Sequence, residues 1–313
     1  MSHLRFSAPL FLAVTFVAQA ASAVRSAELY TRTSYQYGRI EARIRFAPGD
    51  GVVSSFFLWK DGSEIAGTYW NELDFEKLGA TCFLETNALF GKPVAGSPEK
   101  AALQLDLCGA YHTYTYEWTP EYIAWFVDET EIRRETGATA TAYAENATAG
   151  MQIRFNIWPG DATFGGNFNP NILPTHQYID WVQYSSYADG AFTMEWREDF
   201  NGATVPQGWL TGSWGSPKNL STHDSGNVNF IDGYAVLSLT SDTAVGPTGA
   251  DPEGSWSPPG STDEDDSDDG CSVSSVGANH SNGLLGALGV LAGLALGRVR
   301  LLSRKKRAHG EQS

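Results

Sequence analysis

Positive charge is what this 313-residue chain has least of: Lys and Arg number 21 against 36 Asp and Glu, a formal net charge of −15. Binding to nucleic acid wants a basic face, so that partner class is excluded. Cysteine is nearly absent, with three in all. Cys271 sits in the C-terminal tail, which leaves Cys82 and Cys108 as a pair able to bridge in an exporting compartment. No long amphipathic helical pattern stands out in the middle of the chain, so a helical architecture has little to build on.

What is there instead is short alternating runs. Arg39-Ile40-Glu41-Ala42-Arg43-Ile44-Arg45-Phe46 and Tyr122-Ile123-Ala124-Trp125-Phe126-Val127 alternate, and Gly, Asp, Asn and Pro turns separate them at close intervals. The expectation is an all-β sandwich. Once both ends are removed, about 215 residues remain, enough for one large domain with a substantial core.

Both ends look topogenic. Residues 1–23 carry Arg5, an apolar stretch from Pro9 to Val17 and then Ala21-Ser22-Ala23, the pattern of a signal peptide cleaved before Val24. Residues 243–270 are rich in Pro, Gly, Ser and Asp and culminate in Asp263-Glu264-Asp265-Asp266, a composition expected of an extended linker. Residues 271–313 hold Cys271, an apolar Gly-rich stretch from Leu284 to Leu296 and a basic cluster from Arg298 to Arg307. The apolar run is short for a full span, though snorkelling Arg side chains can extend it. Basic residues at its far end would leave the folded domain outside the cytoplasm.

The chemistry concentrates in Trp70-Asn71-Glu72-Leu73-Asp74-Phe75-Glu76. In a strand, Glu72, Asp74 and Glu76 emerge on one face. Like charges that close push at least one pKa upward, so one carboxyl stays protonated while a neighbour is ionised. A glycosidase needs that division: one acid protonates the leaving oxygen, and the other attacks the anomeric carbon or activates water. The Cα atoms of Glu72 and Glu76 would lie roughly 13 Å apart, and two leaning side chains can close this towards the ~5–5.5 Å of a retaining enzyme. Spacing alone does not decide which Glu takes which role.

Aromatic residues surround the acids. There are 10 Trp, 13 Tyr and 16 Phe, which supply flat faces for sugar rings in an open cleft. Trp70 abuts the triplet, and Arg154-Phe155-Asn156-Ile157-Trp158 sets Arg, Asn and Trp on one face against Phe and Ile on the other, as in a cleft wall.

The run Gly51–Trp59, the Glu-x-Asp-x-Glu strand ending in Leu78-Gly79, the block Tyr111-His112-Thr113-Tyr114-Thr115-Tyr116-Glu117-Trp118, and Tyr178-Ile179-Asp180-Trp181-Val182 together resemble glycoside hydrolase family 16, and within it the bacterial licheninases. The resemblance covers residues 26 to about 242 and implies a β-jelly-roll sandwich of two antiparallel sheets with a concave substrate cleft. Met194-Glu195-Trp196 through Asp199-Phe200-Asn201, Trp209, Trp214 and Asp232-Gly233-Tyr234 look like the family's opening segment moved behind the last strand. The catalytic domain, residues 24–242, therefore resembles a circularly permuted licheninase with residues 194–242 transposed. Permutation is tolerated where termini meet at the surface.

By that resemblance Glu72 is the nucleophile, Glu76 the acid/base and Asp74 the assisting carboxylate. The implied sugar contacts are Phe57, Trp59, Asp61, Trp70, Glu85, Asn87, Arg154, Asn156, Trp158 and Trp214, with His112 either a subsite contact or structural. A structural calcium is implied at Asp180 with main-chain oxygens near Asp199 and Gly233; no cofactor is implied for catalysis. No residue is inserted between Asp74 and Glu76, and an insertion there would make a β-bulge that re-aims the last Glu. The unbulged form favours mixed-linkage 1,3-1,4-β-glucan, with 1,3-β-glucan, xyloglucan, transglycosylation and a non-catalytic glucan-binding module as alternatives. The tail resembles the C-terminal sorting tail of myxobacteria, which implies processing near Cys271 and attachment to the cell surface, an unprocessed membrane anchor being the alternative; the enzyme is expected to be a monomer. Two positions depart from the family: Lys77 stands where an apolar residue is usual, facing the core, and Phe164 where the permuted relative has Trp.

Overall fold

A computed structural model describes residues 23–79, 82–101 and 103–254. The signal-peptide expectation, residues 255–270 of the linker and the whole C-terminal tail lie outside the described residues. The first half contains β1 (Val24–Thr31), β2 (Gly38–Arg45), β3 (Val52–Trp59), β4 (Trp70–Leu78), β5 (Phe83–Gly91), β6 (Val94–Gly96), β7 (Glu99–Lys100), β8 (His112–Trp118), β9 (Tyr122–Val127), β10 (Thr130–Thr136) and helix α1 (Ala138–Asn146). The second contains β11 (Gln152–Pro159), β12 (Thr175–Ala188), β13 (Ala191–Glu198), β14 (Trp209–Thr211), β15 (Thr222–His223), β16 (Val228–Ile231) and β17 (Tyr234–Ser241).

Antiparallel pairing sorts the strands into two sheets. The inner sheet runs β14–β1–β11–β3–β4–β5, with β6 and β7 both along the outer edge of β5. The outer sheet runs β10–β9–β8–β2–β12, with β17 and β13 sharing the far edge of β12 and β16 beyond β17. The central strands of both sheets turn their apolar residues inward, as period-2 alternation requires. Phe56, Phe75 and Phe155 of the inner sheet meet Tyr114, Tyr116 and Trp125 of the outer one in a single core. The result is a curled, all-β jelly-roll sandwich.

The outer sheet grips β4 from behind. Tyr116 Oη donates to the carbonyls of Phe56 (2.8 Å) and Leu73 (3.0 Å), and Trp125 Nε1 donates to Asp74 O at 3.1 Å. Tyr143 Oη, from α1, donates to Glu72 O at 2.6 Å and Leu89 O at 2.9 Å. Three successive carbonyls of the acidic strand are thereby held, which limits how far its side chains can drift.

Two sequence expectations take definite form here. His112 lies on β8 of the outer sheet, opposite Ile44, and its Nδ1 sits 2.6 Å from Asp128 Oδ2. It is a structural histidine, remote from the inner sheet's open face. Residues 243–254, read as the start of the linker, lie instead against the outer sheet: Arg45 donates to Asp251 O, Tyr111 Oη to Pro252 O, and Asp251 N to Tyr178 Oη. Polar composition conceals this docking because the ties are backbone groups meeting tyrosine and arginine side chains.

Candidate active site

Register across the inner sheet lines side chains into rows on its concave face. One row reads Leu89–Glu72–Trp59–Gln152; the next is Asn87–Asp74–Phe57–Arg154–Tyr30. Then come Glu85–Glu76–Ser55–Asn156–Glu28 and Phe83–Leu78–Val53–Trp158. The predicted alternation of Glu72, Asp74 and Glu76 therefore holds, and the three acids occupy the middle of the cleft floor. Asp74 is buried, whereas Glu72 and Glu76 keep partial exposure to the cleft.

Their environments differ. Burial pushes Glu72 up to about 7, opposed by the Trp70 indole, which donates to Oε2 at 2.8 Å, and by the Arg154 charge and an Asp74 hydrogen bond. Burial also raises Glu76 well above the usual carboxylate range, and the charges of Glu72 and Glu85 raise it further. Asp74 is raised chiefly by burial and then by Glu72, Glu76 and Glu85. The anion is therefore best accommodated at Glu72 and the proton at Glu76 and Asp74.

A second polar cluster forms beside the triplet. Arg154 donates to Glu28 Oε1 at 2.7 Å and to Gln152, and its guanidinium lies over Tyr30 (4.6 Å), Trp59 (5.6 Å) and Trp214 (5.8 Å). Glu28 Oε2 accepts from Trp214 Nε1 at 3.2 Å and contacts His223 Nε2 at 3.2 Å. Burial, then Arg154, depresses His223 to about 4, so it is neutral at physiological pH and the contact is not an ion pair. Trp214 is 41% exposed and offers an open aromatic face. Among the described residues, Ser55 Oγ and Asn156 Oδ1 are buried without a hydrogen-bond partner beside Glu76. Unsatisfied polar atoms on a cleft floor are places for a ligand's hydroxyl groups.

The predicted sugar contacts divide. Phe57, Trp59, Trp70, Glu85, Asn87, Arg154, Asn156 and Trp214 all converge on the concave face, with Trp59 and Trp70 packed edge to face at 4.9 Å. Asp61 does not belong to the floor; it is exposed in the turn after β3. Trp158 is on the face but only 3% exposed, because Phe164 stacks on it at 5.8 Å with planes 7° apart. Phe164, not Trp158, therefore presents the outer ring. It borders a cavity of about 350 Å³ lined also by Leu78, Phe83, Glu85 and Lys100. Sequence reasoning missed Glu28, Tyr30, Gln152, Ser55 and His223. Glu28 and Tyr30 carried the signal already applied to the triplet, a charged residue alternating with an aromatic one in a short strand.

Lys77 lies on the opposite face, fully buried, with Nζ donating to Val52 O at 3.1 Å and Gly79 O at 3.2 Å. Cys82 and Cys108 form a disulfide with Cα atoms 6.2 Å apart. At the implied calcium position, an atom added to Gly233 would come within 3.9 Å of Asp199 O, so that carbonyl and Gly233 are neighbours. The Asp180 carboxylate is met by Arg43 at 2.5 Å and that of Asp199 by Arg197 at 2.6 Å. Among the described residues, no group of three or more His, Cys, Asp or Glu side chains converges for a metal.

The model of a family described as Glycosyl hydrolases family 16 matches residues 11–183. A beta-glucanase of Fibrobacter succinogenes is 36% identical over 225 residues, covering 68% of this chain and 63% of that protein. A beta-glucanase of Bacillus subtilis is 34% identical over 156 residues, covering 49% and 60%. The solved Bacillus licheniformis beta-glucanase aligns at 26% identity with a TM-score of 0.42, covering 53% of this chain and 78% of that one. The chain thus spans about three-fifths of the length of these curated relatives. With more than half its length matched by the family, and the acidic strand within the matched region, the chain belongs to glycosyl hydrolases family 16.

Proposed function

We propose that this protein is an endo-β-glucanase that hydrolyses mixed-linkage 1,3-1,4-β-glucan with retention at the anomeric carbon. The observation that carries this reading is the unequal environment of the two glutamates. Trp70 and Arg154 favour the Glu72 anion, the form a nucleophile needs, while burial and the neighbouring charges keep a proton on Glu76. In the first step Glu72 attacks the anomeric carbon as Glu76 delivers its proton to the departing oxygen; in the second, Glu76 takes a proton from the water that releases the sugar. Asp74, itself protonated, hydrogen-bonds Glu72 between its two neighbours.

Support for the glucan comes from the relatives named beta-glucanase, from the open face of Trp214 and from the unpaired Ser55 and Asn156 oxygens. The reading extends to an exported, monomeric enzyme tethered at the cell surface by its C-terminal tail. It also takes the chain order as permuted: Val24 pairs with Ser241 at the ends of the domain, and a tight Asp189-Gly190 turn, both residues at positive φ, joins β12 to β13 where ordinary termini would otherwise lie. A calcium ion bound by Asp180 and the Asp199 and Gly233 carbonyls completes it, although Arg43 competes for the carboxylate.

The test is reducing-sugar release and product size from barley mixed-linkage glucan, laminarin and xyloglucan, using the full chain and its Glu72→Gln variant. Short oligosaccharides from the mixed-linkage polymer alone, abolished in the variant, are the expected outcome. Cleavage of laminarin or xyloglucan in preference would reassign the substrate, and binding without release would overturn the hydrolase reading.

A further inference from the structure

The acidic strand carries three of the cleft's carboxylates, and β5 adds another. Glu85 lies directly opposite Glu76 in the β4–β5 register, on the same concave face, and Lys100 lies opposite Glu85 in the β5–β7 register. Side chains paired this way have Cβ atoms about 4.5–5.5 Å apart, and like charges so placed are mutually destabilising. Such a pair has to be offset by something. A sugar contact alone needs a hydrogen-bonding side chain at this position, not a second negative charge beside a carboxyl group.

We propose that Glu85 is a positioning residue that acts through Glu76: its charge, sustained by Lys100, keeps the proton on Glu76 into alkaline solution and so sets the upper pH bound of the reaction. This rests on the acid/base role proposed above for Glu76. The surrounding groups are consistent with the assignment. On the concave face of β4, Glu72 and Asp74 are the other charged or titratable neighbours, Lys77 pointing into the core; across β3, β11 and β1 the same row offers neutral Ser55 and Asn156 before reaching Glu28. Arg154 is one row away and is taken up by Glu28 and Gln152. Behind the sheet Arg133 is bound to Thr86, Ser97 and Glu135, with Glu99 3.7 Å off. In the adjoining loop Asp161 is paired with Lys218 at 2.8 Å. Glu85 is only partly buried, and Lys100 opposite it counters the upward push of burial, which favours its charged form.

Two readouts test this together. The first is the pH profile of kcat/KM on mixed-linkage glucan for the full chain, Glu85→Gln and Glu85→Asp. The second is the titration of carboxyl-13C-labelled glutamates by NMR in the same proteins, with the Glu76 resonance assigned by its loss in Glu76→Gln. Glu85→Gln should move the alkaline limb, and the Glu76 midpoint with it, to lower pH by about one unit, the usual size of a single close-charge effect. That is a roughly tenfold loss of kcat/KM on the alkaline side, with Glu85→Asp keeping most of the wild-type position. A raised KM with an unmoved limb and midpoint overturns the proposal and leaves Glu85 as an ordinary sugar contact. A midpoint that moves in a protein that turns over none of the glucans upholds the Glu85–Glu76 coupling while overturning the enzymatic reading.

Discussion

Replacing Lys77 with Met should stabilise this protein. Lys77 is fully enclosed on the core side of the acidic strand, opposite Ser54 and Leu84, and its ammonium has two carbonyl acceptors and no carboxylate in contact. Burial lowers its pKa from 10.5 to about 7, with Asp50 opposing weakly. Between those values the unfolded chain holds a proton that the folded protein does not, so wild-type stability rises with pH across the window. The slope approaches ~1.4 kcal/mol per pH unit, or about 4 kcal/mol between pH 7 and the upper end. Methionine has a similar shape and carries no charge, so that cost disappears. Set against it is Gly79 O, which loses its donor at roughly 1–3 kcal/mol, whereas Val52 O still accepts from Gly79 N at 3.2 Å. The balance at pH 7 is a gain of about 2 kcal/mol, a rise of roughly 4–8 °C in Tm for a domain of this size. Denaturant unfolding followed by tryptophan fluorescence from pH 6 to 10, on both proteins, is the assay. The advantage of Lys77→Met should shrink as pH rises above 7 and reverse at about pH 9. Parallel curves, or a variant weaker at every pH, would refute the argument.

Reduction of Cys82–Cys108, or the double change to Ser, reopens a loop closed across a sequence separation of 26. Chain entropy places the loss at about 3.5 kcal/mol and the fall in Tm near 10 °C; calorimetry showing no change on reduction would contradict it. Trp70→Phe removes the indole donor that favours the Glu72 anion, so the acid limb of kcat/KM should move to higher pH by up to about one unit. An unmoved limb would mean that the indole serves only as a sugar platform. If calcium is bound at Asp180, chelator should lower Tm while low-temperature activity survives; an unchanged melting curve removes the ion from the account.

Much of the inner sheet could be read from alternation. Glu72, Asp74 and Glu76 share a face because side chains alternate in any strand, and Lys77 faces away for the same reason. The partners of those residues could not be read so, because pairing depends on register between strands far apart in sequence. Glu28 meets Arg154 across 126 positions and Trp214 across 186. Trp158 shows the same limit: periodicity puts it on the cleft face, as the register does, and only the fold reveals Phe164 stacked over it.

The end of the domain shows the complementary failure. Composition ends the aromatic strand pattern near residue 243, yet the chain stays docked to residue 254 through backbone groups that composition does not register. The sequence by itself determined the all-β class, the acidic strand and the face on which its carboxylates emerge, since these follow from local periodicity. Only the tertiary structure brought burial, Arg154 and Glu85 to bear on those carboxylates and set the Trp70 indole against Glu72, because burial and cross-strand neighbours depend on how distant strands pack.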